Sequence, residues 1–309
     1  MLTQEQIDSF YANGFLVMRG VVKGEELRLL SDAVDEVIRQ GVELQGQPGH
    51  DHLYLPGARG NKVYWRSEKM WTRGDIFLAA TAHPEILENI GQLVGDSFVP
   101  FNDSLVVKVP HEGAAVTWHQ DPPYGDPKRL DSLPGPNFTT DIYLDHSGTD
   151  NGCVYAIPGH HLVGHVDYKS KSEEELFEKY GAVPVLMEPG DVLFHCVSTP
   201  HGSRANLSAL KRRIFYIHYM TEAVCRQSYP NWTSRFAADG GLDLELYASM
   251  LEARKRLGFA GIEETGTVAF DRCGFRFTSS PSAAVHDWAA RFAAISAAEK
   301  ERLKRLLPV

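Results

Sequence analysis

The strongest constraint on the fold is a succession of short β-type runs between residues 98 and 219. The runs S-L-V-V-K-V, T-T-D-I-Y-L, C-V-Y-A-I and D-V-L-F-H-C are rich in β-branched and aromatic residues. Turns that contain Gly, Pro or Asn, such as D-N-G and E-P-G, separate these runs. Short strands divided by such turns are typical of a β-sandwich or jelly roll.

Helical patterns flank this β-rich region on both sides. Thr3 and Gln6 form a capping box that predicts an opening helix, and residues 15–22 predict a short buried strand. Apolar residues recur every three or four positions in residues 23–41 and again in 83–95, as an amphipathic helix requires.

Helical periodicity returns after residue 229, in L-D-L-E-L-Y-A-S-M-L-E-A-R-K-R-L and in an Ala-rich tail at 282–307. We therefore expect a single domain over residues 1–309. Its parts are a helix-rich N-terminal part (1–97), a β core (98–220) and a helical C-terminal extension (221–309). One long polar, Pro-rich segment at 122–137 interrupts the core, and loops of that length are typically functional.

Charge and composition argue against several classes of protein. The formal net charge is −9 and no long block of Lys and Arg is present, so we expect no nucleic-acid partner. No stretch reaches the roughly 18 apolar residues of a membrane span, and the acidic, polar N-terminus does not resemble a signal peptide. These features predict a cytoplasmic protein without a membrane partner. The four cysteines form no C-x-x-C pair, and we expect them to be reduced.

The motif T-W-H-Q-D contains two residues that could bind a metal ion. If His119 and Asp121 lie on a strand, their side chains point to the same face, with Cα atoms roughly 6.5–7 Å apart. Two histidines and one carboxylate on one face of a metal are the arrangement of non-haem Fe(II) oxygenases. His195 and His201 are both candidates for the second histidine, and H-x-D alone does not choose between them.

Five ordered blocks carry a resemblance to a known family. They are His119-Gln120-Asp121, N-G-C-V-Y-A-I-P-G-H-H at 151–161, Gly190-Asp191, H-G-S-R-A-N at 201–206, and Arg212. In this order they resemble the phytanoyl-CoA hydroxylase family of Fe(II)/2-oxoglutarate dioxygenases. The resemblance extends to about residue 219. It implies a mainly β fold with flanking helices, namely a double-stranded β-helix (a cupin-like jelly roll), and the use of Fe(II), 2-oxoglutarate and O2.

The resemblance also implies a set of iron ligands. His119, Asp121 and His201 would bind Fe(II) and form the catalytic centre, while His195 would pack at the end of its strand.

Further residues are implied to bind the co-substrate. Arg212 would bind the distal carboxylate of 2-oxoglutarate through its planar guanidinium group, assisted by Ser203. Arg213 lies on the opposite face of the same strand and is the alternative if the register differs by one. Lys62 and Ser104 align with further co-substrate contacts of the family.

A substrate pocket is expected from the residues around this centre. Tyr124, Asn102 and Asp141 are its candidate lining residues, and His218 shares strand parity with Arg212, so it should face the barrel interior. A carboxylate at position 141 would repel 2-oxoglutarate unless it faces a cationic substrate group or points elsewhere.

The expected reaction is hydroxylation of a C–H bond of a small-molecule metabolite, with release of succinate and CO2. Related halogenases have glycine or alanine at the position of Asp121, and the carboxylate present here favours hydroxylation. Desaturation, epoxidation or ring formation on the same iron centre are alternatives. A non-catalytic jelly-roll binding protein and a metal enzyme without co-substrate remain as further hypotheses. The complete triad together with Arg212 argues against the first, and Arg212 with Ser203 argues against the second.

Overall fold

Helices and strands alternate at the N-terminus before the β-rich region begins. The computed structural model describes residues 1–94, 97–122, 137–221, 224, 244–271 and 274–278. Within these ranges the helices are α1 (Gln4–Asn13), α2 (Gly24–Glu43), α3 (Asp75–Thr81), α4 (Pro84–Val94), α5 (Leu244–Leu257) and α6 (Ile262–Thr265). The strands are β1 (Phe15–Met18), β2 (His52–Pro56), β3 (Lys62–Glu68), β4 (Ser97–Lys108), β5 (Val116–His119), β6 (Asn137–Tyr143), β7 (Val154–Ala156), β8 (Val183–Val185), β9 (Val192–Cys196), β10 (His201–Ser203), β11 (Arg212–Thr221), β12 (Val268–Asp271) and β13 (Gly274–Phe277).

The first helix begins at the predicted capping box. The hydroxyl of Thr3 accepts a hydrogen bond from the backbone N–H of Gln6, whose side chain accepts one from the backbone N–H of Thr3. Gly14 ends the helix with φ at 82°, in the left-handed region that glycine adopts without strain. The helices predicted at 23–41 and 83–95 are confirmed as α2 and α4, whereas the strand predicted at 15–22 ends at Met18.

Two antiparallel sheets form the jelly roll that the sequence predicted. The major sheet has the order β1-β9-β6-β11-β4-β13-β12, and the β2–β3 hairpin joins it through a β3–β4 pairing. The minor sheet has the order β5-β10-β7-β8. Strands that are distant in sequence are neighbours in both sheets, so the position of each site residue depends on this topology.

The two faces of β11 have different environments. Phe215 and Ile217 lie in the main hydrophobic core together with Phe10 of α1, Leu30 of α2 and Phe77 of α3. Side chains of the alternate positions of β11 point toward the minor sheet, because successive strand residues face opposite sides. The helices therefore cover the outer face of the major sheet and leave its inner face for a cavity.

The C-terminal extension is not only helical, as the sequence had suggested. Helix α5 is confirmed, but β12 and β13 form a hairpin that joins the major sheet, where Phe275 is the cross-strand partner of Phe98. Each strand of this hairpin has only four residues, too few for a clear periodic pattern. The tail at 282–307 lies outside the described residues.

Two further expectations concern cysteines and membrane spans. Cys153 and Cys196 are buried and unpaired with each other, while Cys225 and Cys273 lie outside the described residues. None of the helices in the described ranges is both long enough and apolar enough to cross a bilayer.

Candidate active site

Three side chains of the type that binds metals meet where β5 and β10 lie side by side. His119 ends β5, Asp121 follows two residues later, and His201 at the start of β10 is the cross-strand partner of His119. Nε2 of His119 lies 3.6 Å from one carboxylate oxygen of Asp121, and Nε2 of His201 lies 3.7 Å from the other. One ligand atom from each residue falls within 4.8 Å of the other two. This geometry suits a single metal ion.

The orientation of both imidazole rings is set by the backbone. Nδ1 of His119 lies 2.8 Å from the carbonyl oxygen of Thr117, and Nδ1 of His201 lies 3.0 Å from that of Thr199. Because a carbonyl oxygen only accepts, each Nδ1 carries the proton and each Nε2 keeps its lone pair. Both rings are therefore held in the tautomer that coordinates a metal through Nε2.

The charge states of these groups also suit a metal. Burial lowers the pKa of His201 to about 4, and the neighbouring His119 adds to this effect. Loss of hydration alone would raise the pKa of Asp121, but His201 and His119 together hold it below its usual value. At neutral pH His201 is thus a neutral donor and Asp121 an anion, the forms in which these residues bind metals.

A cavity of about 280 Å³ lies beside the three side chains, between the two sheets. Arg212 and Ser203 both line it, and they are 2% and 8% exposed. Nη1 of Arg212 donates to the carbonyl oxygen of Gly152 at 2.8 Å, while its Nε has no hydrogen-bond partner among the described residues. Arg213 points to the outer face and pairs there with Asp145. The cavity therefore contains an arginine with unused hydrogen-bonding capacity.

Two residues predicted to contact the co-substrate do not reach this cavity. Lys62 is exposed at the start of β3, and Ser104 is fully buried on β4, where it is the cross-strand partner of the cavity-lining Tyr216. The residues of β3 that line the cavity are Trp65 and Arg66, three and four positions after Lys62. Arg66 pairs with Glu68, and its guanidinium carbon lies 4.9 Å from the ring centre of Tyr216. Lys62 is thus replaced as the candidate by Arg66, which the sequence analysis missed.

Asp141 lines the cavity and is directed toward His195. Its Oδ2 lies 3.2 Å from Nε2 of His195, which also lies 2.5 Å from the hydroxyl of Thr139. Burial alone would lower the pKa of His195, but the Asp141 carboxylate, with a smaller contribution from Asp121, raises it above the usual value. His195 does pack near the end of its strand, as expected, but it also lines the cavity, and its ring centre lies 5.0 Å from that of His201.

The remaining pocket candidates have mixed outcomes. Asn102 and His218 are cross-strand partners that both line the cavity. Burial lowers the pKa of His218 to about 4, and its Nε2 hydrogen-bonds to the side-chain oxygen of Asn137. Tyr124 and nearly all of the 122–137 segment lie outside the described residues.

A register shift between β2 and β3 explains why parity does not identify Arg66. Trp65 is the extra residue, since its neighbours on both sides pair with consecutive residues of β2. An extra residue interrupts the alternation of side chains, so parity counted from Lys62 does not select the residue that faces the cavity. Val106 of β4 is the cross-strand partner of Arg66, and both line the cavity. The pairing of β3 with β4 therefore identifies Arg66.

Comparison with known proteins gives the family. The profile described as phytanoyl-CoA dioxygenase matches residues 10–214, which include all three metal-binding candidates and Arg212. The chain belongs to the phytanoyl-CoA dioxygenase family. Members of this family are 2-oxoglutarate-dependent dioxygenases, so the protein is an oxidoreductase, and iron and 2-oxoglutarate are the cofactor and co-substrate of the family.

Individual relatives are distant. Methylphosphonate hydroxylase of Gimesia maris is 25% identical over 267 residues, covering 86% of this chain and 91% of that protein. The structure of EctD from S. alaskensis with 2-oxoglutarate and 5-hydroxyectoine has a TM-score of 0.60 at 19% identity, covering 71% of this chain and 76% of that chain. The carbocyclase SnoK from nogalamycin biosynthesis has a TM-score of 0.55 at 22% identity, covering 71% and 84%. These two structures share the fold.

The residues present fit the iron and co-substrate of the phytanoyl-CoA dioxygenase family. Two imidazole nitrogens and one carboxylate lie within 4.8 Å of one another, which is the donor set of a facial triad. The buried Nε of Arg212, without a partner in the described part of the chain, fits an anionic carboxylate.

Proposed function

We infer that this member of the phytanoyl-CoA dioxygenase family hydroxylates a C–H bond of a small-molecule metabolite, with release of succinate and CO2. The observation that carries the proposal is the convergence of His119, Asp121 and His201 beside a cavity that also contains Arg212. A protein that only binds a ligand would have no need for both a metal triad and a buried arginine.

Each residue has a role in the proposed reaction. His119, Asp121 and His201 would hold Fe(II), and two histidines with one carboxylate are the donor set of non-haem Fe(II) oxygenases. Oxidative decarboxylation of 2-oxoglutarate by O2 is the chemistry that iron supplies in this family. Arg212 binds the distal carboxylate of the co-substrate, and Ser203 assists by a hydrogen bond to the same carboxylate. The apolar and aromatic walls of the cavity exclude water and fix the C–H bond that is attacked.

The carboxylate of Asp121 bears on the outcome of the reaction. A halide would need the place of one protein ligand, and Asp121, whose carboxylate oxygens lie 3.6 Å and 3.7 Å from the two histidine nitrogens, would supply that ligand here. Hydroxylation is therefore favoured over halogenation. The alternative is desaturation, epoxidation or ring formation at the same site, since the similarly folded SnoK is described as a carbocyclase.

Succinate release stimulated by a metabolite is the direct test. The purified protein is incubated with Fe(II), 2-oxoglutarate and O2, with and without candidate metabolites, and succinate and product are quantified by mass spectrometry. We expect stimulated succinate release and a product with one added oxygen atom. Omitting Fe(II) is the control. A product that has lost two hydrogens instead would replace hydroxylation by desaturation or ring formation, and succinate release without dependence on iron would contradict the proposal.

A further inference from the structure

Asp141 has an unused hydrogen-bonding atom inside the cavity. It lies within β6, all seven residues of which are buried, and it is 6% exposed. Oδ2 is engaged by His195 at 3.2 Å, but Oδ1 has no hydrogen-bond partner among the described residues. A buried acceptor without a partner is unfavourable and is rare in folded proteins. Its presence on a cavity wall indicates that a ligand supplies the missing donor.

Asn102 provides a second atom of the same kind. Its side chain also lines the cavity, and its Oδ1 is buried without a partner in the part of the chain that the structure describes. Asn102 is on β4 and Asp141 on β6, and β11 lies between these strands. The floor of the cavity thus presents acceptor oxygens from two separate strands.

The co-substrate cannot satisfy these acceptors. This step rests on the proposed function, in which 2-oxoglutarate occupies the cavity beside Arg212. At neutral pH, 2-oxoglutarate has carboxylate and keto oxygens and no N–H or O–H group, so it only accepts hydrogen bonds. It can accept a hydrogen bond from the free Nε–H of Arg212, but it has no donor group for the oxygens of Asp141 or Asn102. The donor must come from the molecule that is oxidised, the prime substrate.

The charges on the cavity wall restrict the class of that substrate. Of the charged lining residues that the structure describes, Arg66 pairs with Glu68 and Asp141 pairs with His195. Arg212 and Asp121 remain, and their charges are opposite. The doubly charged Fe(II) and the dianion of 2-oxoglutarate also cancel. An anionic or cationic substrate would therefore introduce a charge without a partner into a buried site, which is costly.

We propose that the prime substrate is a neutral hydroxylated small molecule that donates a hydrogen bond from a hydroxyl group to Oδ1 of Asp141. Asp141 is then a residue that determines specificity. It distinguishes substrates with a correctly placed hydroxyl from analogues without one, because the analogue leaves a buried acceptor unpaired.

The first test compares probe classes in the succinate-release assay. Neutral polyols and methyl glycosides, amines such as ethanolamine, anions such as methylphosphonate, and hydrocarbons without a donor are each added to the Fe(II)- and 2-oxoglutarate-loaded protein. We expect stimulation by neutral hydroxylated compounds. Stimulation by methylphosphonate or by amines, and not by the neutral compounds, would leave the proposed function intact and overturn this inference. Absence of stimulation by every class would contradict both.

The second test pairs a variant with a modified substrate. With the best neutral compound, Asp141→Ala should raise KM by about 10- to 100-fold, the effect of one hydrogen bond to a charged group. For an analogue that lacks the critical hydroxyl, KM with the wild type should be raised by the same factor. Asp141→Ala should raise KM for this analogue no further. KM for 2-oxoglutarate should not change in the variant.

Controls separate recognition from a structural role. Asp150→Ala removes an exposed carboxylate outside the cavity and should leave both KM values unchanged. If Asp141→Ala does not fold, as judged by circular dichroism, the comparison of substrate and analogue with the wild type still tests the inference. An unchanged KM for the substrate in Asp141→Ala, or equal increases of KM for substrate and 2-oxoglutarate, would overturn it.

Discussion

The consecutive residues Arg212 and Arg213 lie on opposite faces of β11 and have opposite environments. They are 2% and 3% exposed, so both guanidinium groups are buried. Arg213 donates from Nε and Nη2 to the two carboxylate oxygens of Asp145, and from Nη1 to Asp35 at 2.8 Å. Within the described residues, Arg212 donates to one protein group, the carbonyl oxygen of Gly152. The fold satisfies the outer arginine and leaves the inner one partly unsatisfied.

The pKa values of the two side chains follow this difference. Burial lowers the pKa of Arg212, and no adjacent carboxylate fully offsets that effect. Burial acts in the same direction on Arg213, but Asp145 and Asp35 more than compensate and raise its pKa. Since an unpaired buried charge is costly, the outer face is built for stability and the inner face for a ligand that brings negative charge.

The largest expected effect concerns the metal candidates next to the inner face. His119→Ala and His201→Ala each remove one of three converging donors, so each should weaken Fe(II) binding by more than about 100-fold. Anaerobic equilibrium dialysis with Fe(II) measures this. His146→Ala, at an exposed histidine that pairs with Glu188, is the matched control and should bind Fe(II) like the wild type. Unchanged iron binding in both cavity variants would exclude this metal centre.

The two arginines themselves allow a matched comparison. Arg212→Ala should weaken 2-oxoglutarate binding by about 10- to 100-fold, because one charge-assisted pair is lost, and should leave Fe(II) binding unchanged. Arg213→Ala should instead lower the free energy of unfolding by about 3 kcal/mol, because Asp145 loses its partner, with normal 2-oxoglutarate affinity in the folded protein. Anaerobic titration of the visible Fe(II)–2-oxoglutarate absorption and urea unfolding measure the two quantities. If Arg213→Ala weakened 2-oxoglutarate binding more than Arg212→Ala, the assignment of the two faces would be wrong.

The sequence predicts this difference between the arginines because strand parity is local. Alternation places Arg212 and His218 on one face of β11 and Arg213 on the other, without knowledge of any other strand. The spacing of His119 and Asp121 is equally local. The jelly roll also follows from short runs and turns, since these are visible in a single stretch of sequence.

Features that depend on pairing between distant strands could not be predicted from the sequence. Counting alternate positions from Lys62 does not identify a cavity residue, because β3 contains a register shift, and the pairing of β3 with β4 places Arg66 there. The contact of Asp141 with His195 joins β6 to β9, two strands whose register no local pattern specifies. The cost of an unpaired buried charge predicts that a carboxylate at position 141 has a partner. Only the strand order of the folded sheet identifies that partner as His195.

Per pH unit, the smallest expected effect concerns Lys108, the cross-strand partner of Arg212 on β4. Lys108 is fully buried, and burial, reinforced by Arg212, lowers its pKa to about 6. Between that value and the ordinary lysine pKa, the unfolded chain binds a proton that the folded protein does not, so stability rises with pH. The difference in unfolding free energy between wild type and Lys108→Met should therefore shift in favour of the wild type by up to about 1.4 kcal/mol per pH unit from pH ~7 to ~9. Urea unfolding at several pH values measures it, with the exposed Lys169→Met as control. A difference that does not change with pH would mean that Lys108 is charged in the folded protein, and the inner face would then hold two adjacent cations for its ligand to neutralise.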